Sequence, residues 1–517
     1  MVKEQIQRYL DRGNNIKNNY QRVEKENLII NRNSNLTNNL TNNSKNNSKN
    51  IDKDIYIEKN KELKILDSCE VLVVGGGPSG ISAAISSSRA GADTIILEKF
   101  GCLGGVITTV GMETIAWYRY EGTEDCSGIG TEMENMAMKM GGTRKWAYND
   151  SNCLDAEFFK VVADKLILES GVRPILHCYA VETILENNTI KGIITESKSG
   201  RMVIYADRVI DCTGDADICY LAGVDCRVNK KEEKMSVTAV FNCSNIDKER
   251  FIEYTKKNEK TYSDWGGEWI TDNNSKESKL KSPYLEINRD KNVNGSWSSI
   301  TENGEATNLN LVHIPKIDCT NVKDLTYAEI RGRKKTMETI EDLKKELPGF
   351  ENAKLRNFGM TLGTRDSRKI IGEYNLCKKD VMEQGRFYDS IGIFPEFIDG
   401  YNVLTLPTTG RFFQIPFRSL IPKKIDNLLI AGRCIGGDNI SHAAMRNMMA
   451  CCVTGQGAGV AAAISIKNNT IVRNTSFEAI QKELLKQGVS VFNPYLKEDE
   501  KKKIKNKDYH IKFKSKL

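Results

Sequence analysis

Regular apolar spacing begins near Lys64. Glu70-Val71-Leu72-Val73-Val74 is a short β-branched run that ends directly in glycines, the pattern of a buried parallel strand. From Ser79 to Ala90, Ala, Ser and Ile recur at helical spacing, Gly91 stops them, and Thr94–Glu98 reads as a second strand. Together these segments make one βαβ unit of the usual size. An amphipathic helix is predicted over Leu154–Ser170, with Phe158, Val161, Val162, Leu166 and Ile167 on one side. Short strands follow at Pro174–His177, Val181–Leu185, Ile190–Glu196 and Met202–Tyr205, and Arg208–Cys212 then runs into Thr213-Gly214-Asp215. Between about residues 230 and 350 the pattern changes to strands near Val237–Phe241 and Leu309–Ile314, a polar piece at 258–306 and a charged helix over Tyr327–Leu347. Strand character returns at Asn427–Gly432, and a helix of small residues runs from Gly455 to about Ile466.

These changes divide the 517 residues into a tail (1–62), a first α/β part (63–230), an inserted α+β segment (231–350), a return to the α/β part (351–470) and a C-terminal helix with a basic tail (471–517). Between Asn14 and Asn50, 15 of 37 residues are Asn, too polar to offset the entropy of ordering, so this stretch is expected to be disordered. The net charge of +7 changes meaning once it is located. Residues 1–62 carry +4 and residues 497–517 carry +5, leaving a nearly neutral body at −2. No nucleic-acid partner is expected from that distribution. No apolar run approaches the roughly 18 residues of a spanning helix and no secretory h-region is visible, so no membrane partner and a cytoplasmic location are expected.

The 14 cysteines include no Cys-x-x-Cys pair. Free thiols are the expectation, and Cys212, Cys219 and Cys226 are spaced too widely for the tight clusters of most metal sites. No metal ligands are assigned.

Gly75-Gly76-Gly77-Pro78-Ser79-Gly80 fits Gly-x-Gly-x-x-Gly between a strand and a helix, the context that gives the pattern its meaning. Gly75 suits the tight turn, Gly77 the close approach of a pyrophosphate, and Gly80 the packing of helix on strand. The helix N-terminus then offers free N–H groups to the phosphates. Glu98, at the end of the second strand, is placed to bond both ribose hydroxyls and would repel a 2′-phosphate. FAD or NAD is thus favoured over NADP.

Further motifs resemble a known family. Glu98-Lys99-Phe100-Gly101-Cys102-Leu103-Gly104-Gly105 with Thr108-Thr109, and the later Cys212-Thr213-Gly214-Asp215, are similar to elements of glutathione-reductase-type flavoproteins. The segment Phe358–Tyr374, containing Gly363-Thr364-Arg365-Asp366-Ser367-Arg368-Lys369-Ile370-Ile371-Gly372-Glu373-Tyr374, resembles a signature of the FAD-dependent oxidoreductase family, which sits near heterodisulfide reductase A subunits. Ile415–Pro422, Asn427–Cys434 and Ser441–Gly459 continue the likeness in order. The resemblance implies a Rossmann-like FAD/NAD(P)-binding α/β domain of glutathione-reductase type with an inserted α+β substrate domain. It also implies non-covalently bound FAD, held by Gly75, Gly77, Pro78, Ser79, Gly80, Glu98, Lys99, Gly104, Gly105, Val181, Thr213, Gly214, Asp215, Gly432 and Arg433.

Departures from the pattern carry information. Arg433 stands where many relatives have an acidic residue on the ribityl chain, so Asp438 or a backbone group is expected to take that role. The Cys-x-x-x-x-Cys redox pair of disulfide reductases is missing, and there is no second Gly-x-Gly-x-x-Gly for an internal nicotinamide domain. A single-cysteine contribution to an iron–sulfur cluster stays open. His442 falls in the element expected beside the isoalloxazine, either as a general acid/base or as a hydrogen-bonded anchor for the loop. Arg446, at i+4, would share its face and hold negative charge on reduced flavin or on a substrate carboxylate. Arg365 and Arg368 either clamp an anionic substrate or form structural ion pairs. Met448-Met449 and Cys451-Cys452 read as helix packing. The function expected is transfer of a hydride or electron pair between a small-molecule substrate, anionic where the arginines act as a clamp, and FAD, with an external electron donor or acceptor. The alternative is an electron-transfer subunit of heterodisulfide-reductase type working with an iron–sulfur partner.

Overall fold

The computed structural model describes residues 58, 60–115, 118, 126–145, 152–257, 284–287, 293–296, 299–405, 411–491 and 508–510. The Asn-rich stretch, most of the polar piece 258–306 and most of the basic C-terminal tail lie outside the described residues.

Strand β1 (Lys64–Val74), helix α1 (Pro78–Arg89) and strand β2 (Thr94–Leu97) form the βαβ unit. Both strands are parallel, with Val71 opposite Thr94 and Val74 opposite Leu97. Helix α2 (Ala156–Glu169) begins where Asp155 caps it, its carboxylate accepting the Phe158 N–H at 2.9 Å. It leads to β3 (Arg173–Ile175), parallel to β2. A meander follows through β4 (Tyr179–Glu186), β5 (Thr189–Ser197) and β6 (Gly200–Asp211). The two strands expected at 202–205 and 208–212 are one long strand, because β6 serves two neighbours. Its first half pairs antiparallel with β5, and its end lies in the main sheet next to β1. The sheet order is β3-β2-β1-β6-β5-β4.

The segment that follows builds a second, antiparallel sheet in which β7 (Val237–Ser244) lies between β8 (Ala306–Ile314) and β9 (Lys354–Phe358). Helix α3 (Val322–Glu346) starts five residues earlier than its apolar spacing suggests, because Asn321 caps it by accepting the Lys323 and Asp324 N–H groups. Phe241, Leu309, Leu311, Ile340, Leu343 and Phe350 share one apolar cluster between sheet and helix. Burying each such side chain contributes about 1.5–3 kcal/mol.

The chain then returns to the first sheet, where β10 (Leu428–Ile430) pairs parallel with β6. After β10 come α4 (Asn439–Met445) and α5 (Met448–Lys467). Contrary to the expectation that no segment is apolar enough, α5 could cross a membrane by length and composition, yet most of it is buried inside the body. Small residues explain its place. A Cβ on Gly455 would lie 2.1 Å from the Ser79 carbonyl oxygen, so only glycine lets α5 approach α1 this closely. Of the residues expected to pack in this helix, Met449 and Cys452 join the core, whereas Met448 and Cys451 also line the cavity described below. The chain divides at Lys64 into an N-terminal unit and the body Ile65–Leu517, which contains both sheets.

Candidate functional site

β1 ends at Val74, and the chain must turn at once to begin α1. Gly75 makes that turn at φ +105°, a conformation that residues with a Cβ rarely adopt. Gly77 differs, because a Cβ there would meet nothing closer than the Gly105 Cα at 3.8 Å. Glycine at this position preserves empty room at the N-terminus of α1, where unpaired N–H groups and the helix dipole favour an anion. Glu98 follows β2 and is buried. Its carboxylate accepts the Gly76 N–H at 2.6 Å and the Phe100 N–H at 2.9 Å, which ties it to the glycine loop.

The second wall comes from the ends of β6 and β10. Arg433 donates to Asp215 Oδ1 at 2.7 Å, to Thr364 Oγ1 at 2.7 Å and to Ser367 Oγ at 3.0 Å. Burial works to raise the Asp215 pKa, but the Arg433 charge and hydrogen bonds outweigh it and hold the carboxyl below its ordinary range. Behind them Asp211 is buried, accepting from the Thr213 hydroxyl at 2.7 Å and the Cys219 N–H at 2.9 Å. Burial pushes its pKa up.

These groups open onto one cavity of about 1600 Å³, which runs from the glycine loop to Thr238, Asn310 and His313 on the second sheet. Of the expected cofactor residues, Gly75, Gly77, Pro78, Ser79, Glu98, Lys99, Gly105, Thr213, Gly214, Asp215, Gly432 and Arg433 line it. Gly80 and Gly104 shape the loop from behind. Val181 is absent from the wall, and Cys178, Tyr179 and Ala180 just before it are there instead. Asp438 is also elsewhere. It caps α4 by accepting the Ser441 N–H at 2.8 Å, and its other oxygen accepts the Lys378 N–H at 2.7 Å. Unlike Glu98, it does not line the cavity, which removes it from the ribityl role.

The four candidate catalytic residues separate. Arg368 donates to Asp217 Oδ1 at 2.8 Å and to the Asp215 carbonyl at 3.1 Å, and stacks on Tyr220, a structural arrangement on the cavity wall. Burial, with Asp215 and Asp211 nearby, pushes Asp217 up to about 6 despite Arg368. Arg446 donates to the Asp399 carboxylate at 2.6 Å and to its carbonyl. Arg365 lines the cavity with its hydrogen bonds going to the Ser236 carbonyl at 3.1 Å and to Asn310 Oδ1 at 3.3 Å.

His442 does not reach the cavity wall. It is buried on α4, with Nδ1 3.0 Å from the Tyr401 hydroxyl. Burial and the nearby charges of Lys369, Arg446 and Arg433 push its pKa well below the ordinary value, which leaves the ring neutral. Tyr401 occupies the wall in its place. Tyr401 and Asn402, both at positive φ, form the two-residue turn of a hairpin pairing Ile398–Gly400 with Val403–Thr405, the backbone that a type I′ turn requires. Sequence reasoning missed Tyr401, and its only local signal was Asp399-Gly400 before a turn. It also missed His313 on β8, whose pKa is pushed down to about 3 by burial and by Arg365. Cys178, Cys212, Cys319 and Cys451 line the cavity too, and burial pushes the Cys319 and Cys451 thiols up to about 12.

Residues 70–484 match the profile of the FAD dependent oxidoreductase family. The chain belongs to that family. Its cofactor is FAD, and the structure fits one, with a cradle that a Cβ at Gly77 would fill, an anion-favouring helix N-terminus and a carboxylate at the end of β2. Dihydrolipoyl dehydrogenase of Bacillus subtilis is 26% identical over 159 residues, 28% of this chain and 34% of that protein. The Vibrio cholerae dihydrolipoyl dehydrogenase is 44% identical over 52 residues, 10% of either chain. The matches therefore span about a third or less of these relatives' length. Among solved structures, a geranylgeranyl bacteriochlorophyll reductase-like protein from Thermoplasma acidophilum aligns with TM-score 0.39 and 14% identity, covering 81% of this chain and 82% of that one. L-proline dehydrogenase from P. horikoshii aligns with TM-score 0.39 and 13% identity, covering 81% and 98%.

Proposed function

We propose that this FAD-dependent oxidoreductase exchanges a hydride or electron pair with a small-molecule substrate held against the second sheet. The fold is read as glutathione-reductase type, with residues 63–230 and most of 351–470 holding the cofactor and residues 231–350, joined beyond the expected boundary by β9, selecting the substrate. The observation that carries this reading is the shared cavity, because Gly77 and Glu98 line one part of it and Asn310 and His313 another.

When bound, FAD supplies the acceptor for the electron pair. The chain's own residues bind and orient. The α1 N-terminus and the Gly75–Ser79 loop take the pyrophosphate, Glu98 takes the adenosine ribose, and Thr213, Gly214, Gly432 and Arg433 form the wall for the rest. Arg433 is pinned by Asp215, Thr364 and Ser367, so it presents a fixed positive charge. Neutral His442 holds the Tyr401 hydroxyl in place behind the wall.

The test is anaerobic addition of candidate donors to the FAD-loaded protein, followed at the flavin bands. Reduction by a small organic donor with one product formed per flavin reduced is expected. Reduction by an iron–sulfur protein alone, with no small molecule effective, would favour the electron-transfer subunit instead.

A further inference from the structure

Four arginines line the cavity, and three are matched to carboxylates: Arg368 with Asp217, Arg433 with Asp215, and Arg446 with Asp399. Arg365 has no carboxylate partner among the described residues. Both of its hydrogen bonds there go to neutral oxygens, which leaves part of its five-donor fork uncommitted. Around it the charges do not cancel. Arg365 and Arg446 face the single Asp399 charge, and His313 is held neutral, so the groups lining this corner carry one net positive charge, with Lys335 behind the wall on the His313 carbonyl. Lys234 adds nothing, being paired with Asp318 at 2.9 Å, and the lining residues Glu232 and Glu233 are exposed to solvent. Keeping an uncompensated guanidinium in a largely desolvated wall is costly, and burial together with the Arg446 charge lowers the Arg365 pKa to about 10. A ligand that brings one negative charge removes that cost.

We infer that Arg365, with Asn310 and Thr238 beside it on the second sheet, is the subsite for a carboxylate carried by the substrate. Guanidinium and carboxylate match as two parallel hydrogen bonds, and one net charge suits a monoanion better than a phosphate dianion. Asn310 already fixes one edge of the guanidinium, so the fork is oriented before the substrate arrives. Arg365 is thereby separated from Arg368, which the same sequence signature carries but which the structure spends on Asp217. The inference rests on the cavity being the redox site and narrows the substrate class to carboxylates.

The experiment titrates the FAD-loaded full chain with acetate, with acetamide as its neutral counterpart and with inorganic phosphate, reading the visible flavin bands. Acetate should shift the bands saturably, acetamide should not, and phosphate should act more weakly. Arg365→Gln should keep its FAD and weaken the acetate response about tenfold or more, and Arg365→Lys, which keeps the charge but loses the fork, should fall between. If Arg365→Gln loses FAD, Arg365→Lys decides the question. Equal effects of acetate and acetamide, tighter binding of phosphate, or an unchanged acetate response in the variants would each overturn the subsite. If the wild-type protein holds no FAD, the reading of the whole cavity fails; FAD retained with no acetate response fails this inference alone.

Discussion

The hydroxyl of Tyr401 lies 3.0 Å from Nδ1 of His442, joining the tip of the Ile398–Thr405 hairpin to helix α4. One turn further along, Arg446 grips Asp399 at the base of the same turn. The i+4 pair therefore fastens the hairpin that carries Tyr401 to the cavity wall. Removing the imidazole should loosen this anchor while leaving the cofactor wall intact. His442→Ala is expected to cost about 1–3 kcal/mol in urea unfolding, with the FAD content unchanged. FAD loss out of proportion to that destabilisation would instead place His442 in contact with the cofactor.

Asp215 and Arg433 join the ends of β6 and β10. Asp215→Asn leaves the guanidinium charge without its partner in a largely buried setting, a change that costs about 3–5 kcal/mol for fully buried pairs. Both side chains keep some exposure (16% and 15%), so a loss near the lower end is expected, together with weaker FAD retention. Urea unfolding and FAD content measured on the same preparation check both.

Acid should destabilise the protein before its carboxylates titrate fully. An unfolded histidine has a pKa of about 6.5, whereas folded His313 is held near 3 and His442 well below its ordinary value. As pH falls below about 6.5, the unfolded chain takes up protons that the folded chain refuses. The stability from these two groups is complete above that pH and is lost on acidification, at no more than about 1.4 kcal/mol per pH unit for each. Asp217, raised to about 6, acts in the opposite direction, since the folded state takes up its proton first. Urea unfolding between about pH 4 and pH 7 should show the histidine trend, and His313→Gln should flatten it. A slope unchanged in that variant would mean His313 is protonated in the folded state.

How much could be read beforehand depended on how local each feature is. The unit Val71–Val74, Gly75–Gly80 and Thr94–Glu98 was legible because strand, loop and helix signals adjoin, and each residue type has one physical use there. Asp438 misled because an acidic residue near the third glycine element fits two roles, and Asp438-x-x-Ser441 before a helix is also a cap. From the sequence alone His442 fits either a proton relay or a loop anchor, and its partner Tyr401 lies 41 residues away on a turn with no glycine or asparagine at its first position. His313 and Arg365 meet only because β8 and the Thr361–Arg368 segment face one cavity, a juxtaposition that no spacing along the chain encodes.

The far C-terminus also contributes. Asp508 accepts from Arg418 at 3.0 Å, and His510 Nε2 lies 2.9 Å from Asp380, which also receives the Tyr374 hydroxyl. A chain ending at residue 496 should still hold FAD, since none of these groups lines the cavity. Its unfolding should cost about 1 kcal/mol less for each lost contact. Unaltered stability would mean that these partly exposed pairs add nothing.

The most direct test is the FAD released on denaturing the purified full chain, measured for the wild type and for Gly77→Val. The expected result is one FAD per wild-type chain and essentially none in a Gly77→Val protein with unchanged secondary structure, because the added side chain fills the room kept beside the α1 N-terminus. Full FAD occupancy in that folded variant would contradict it.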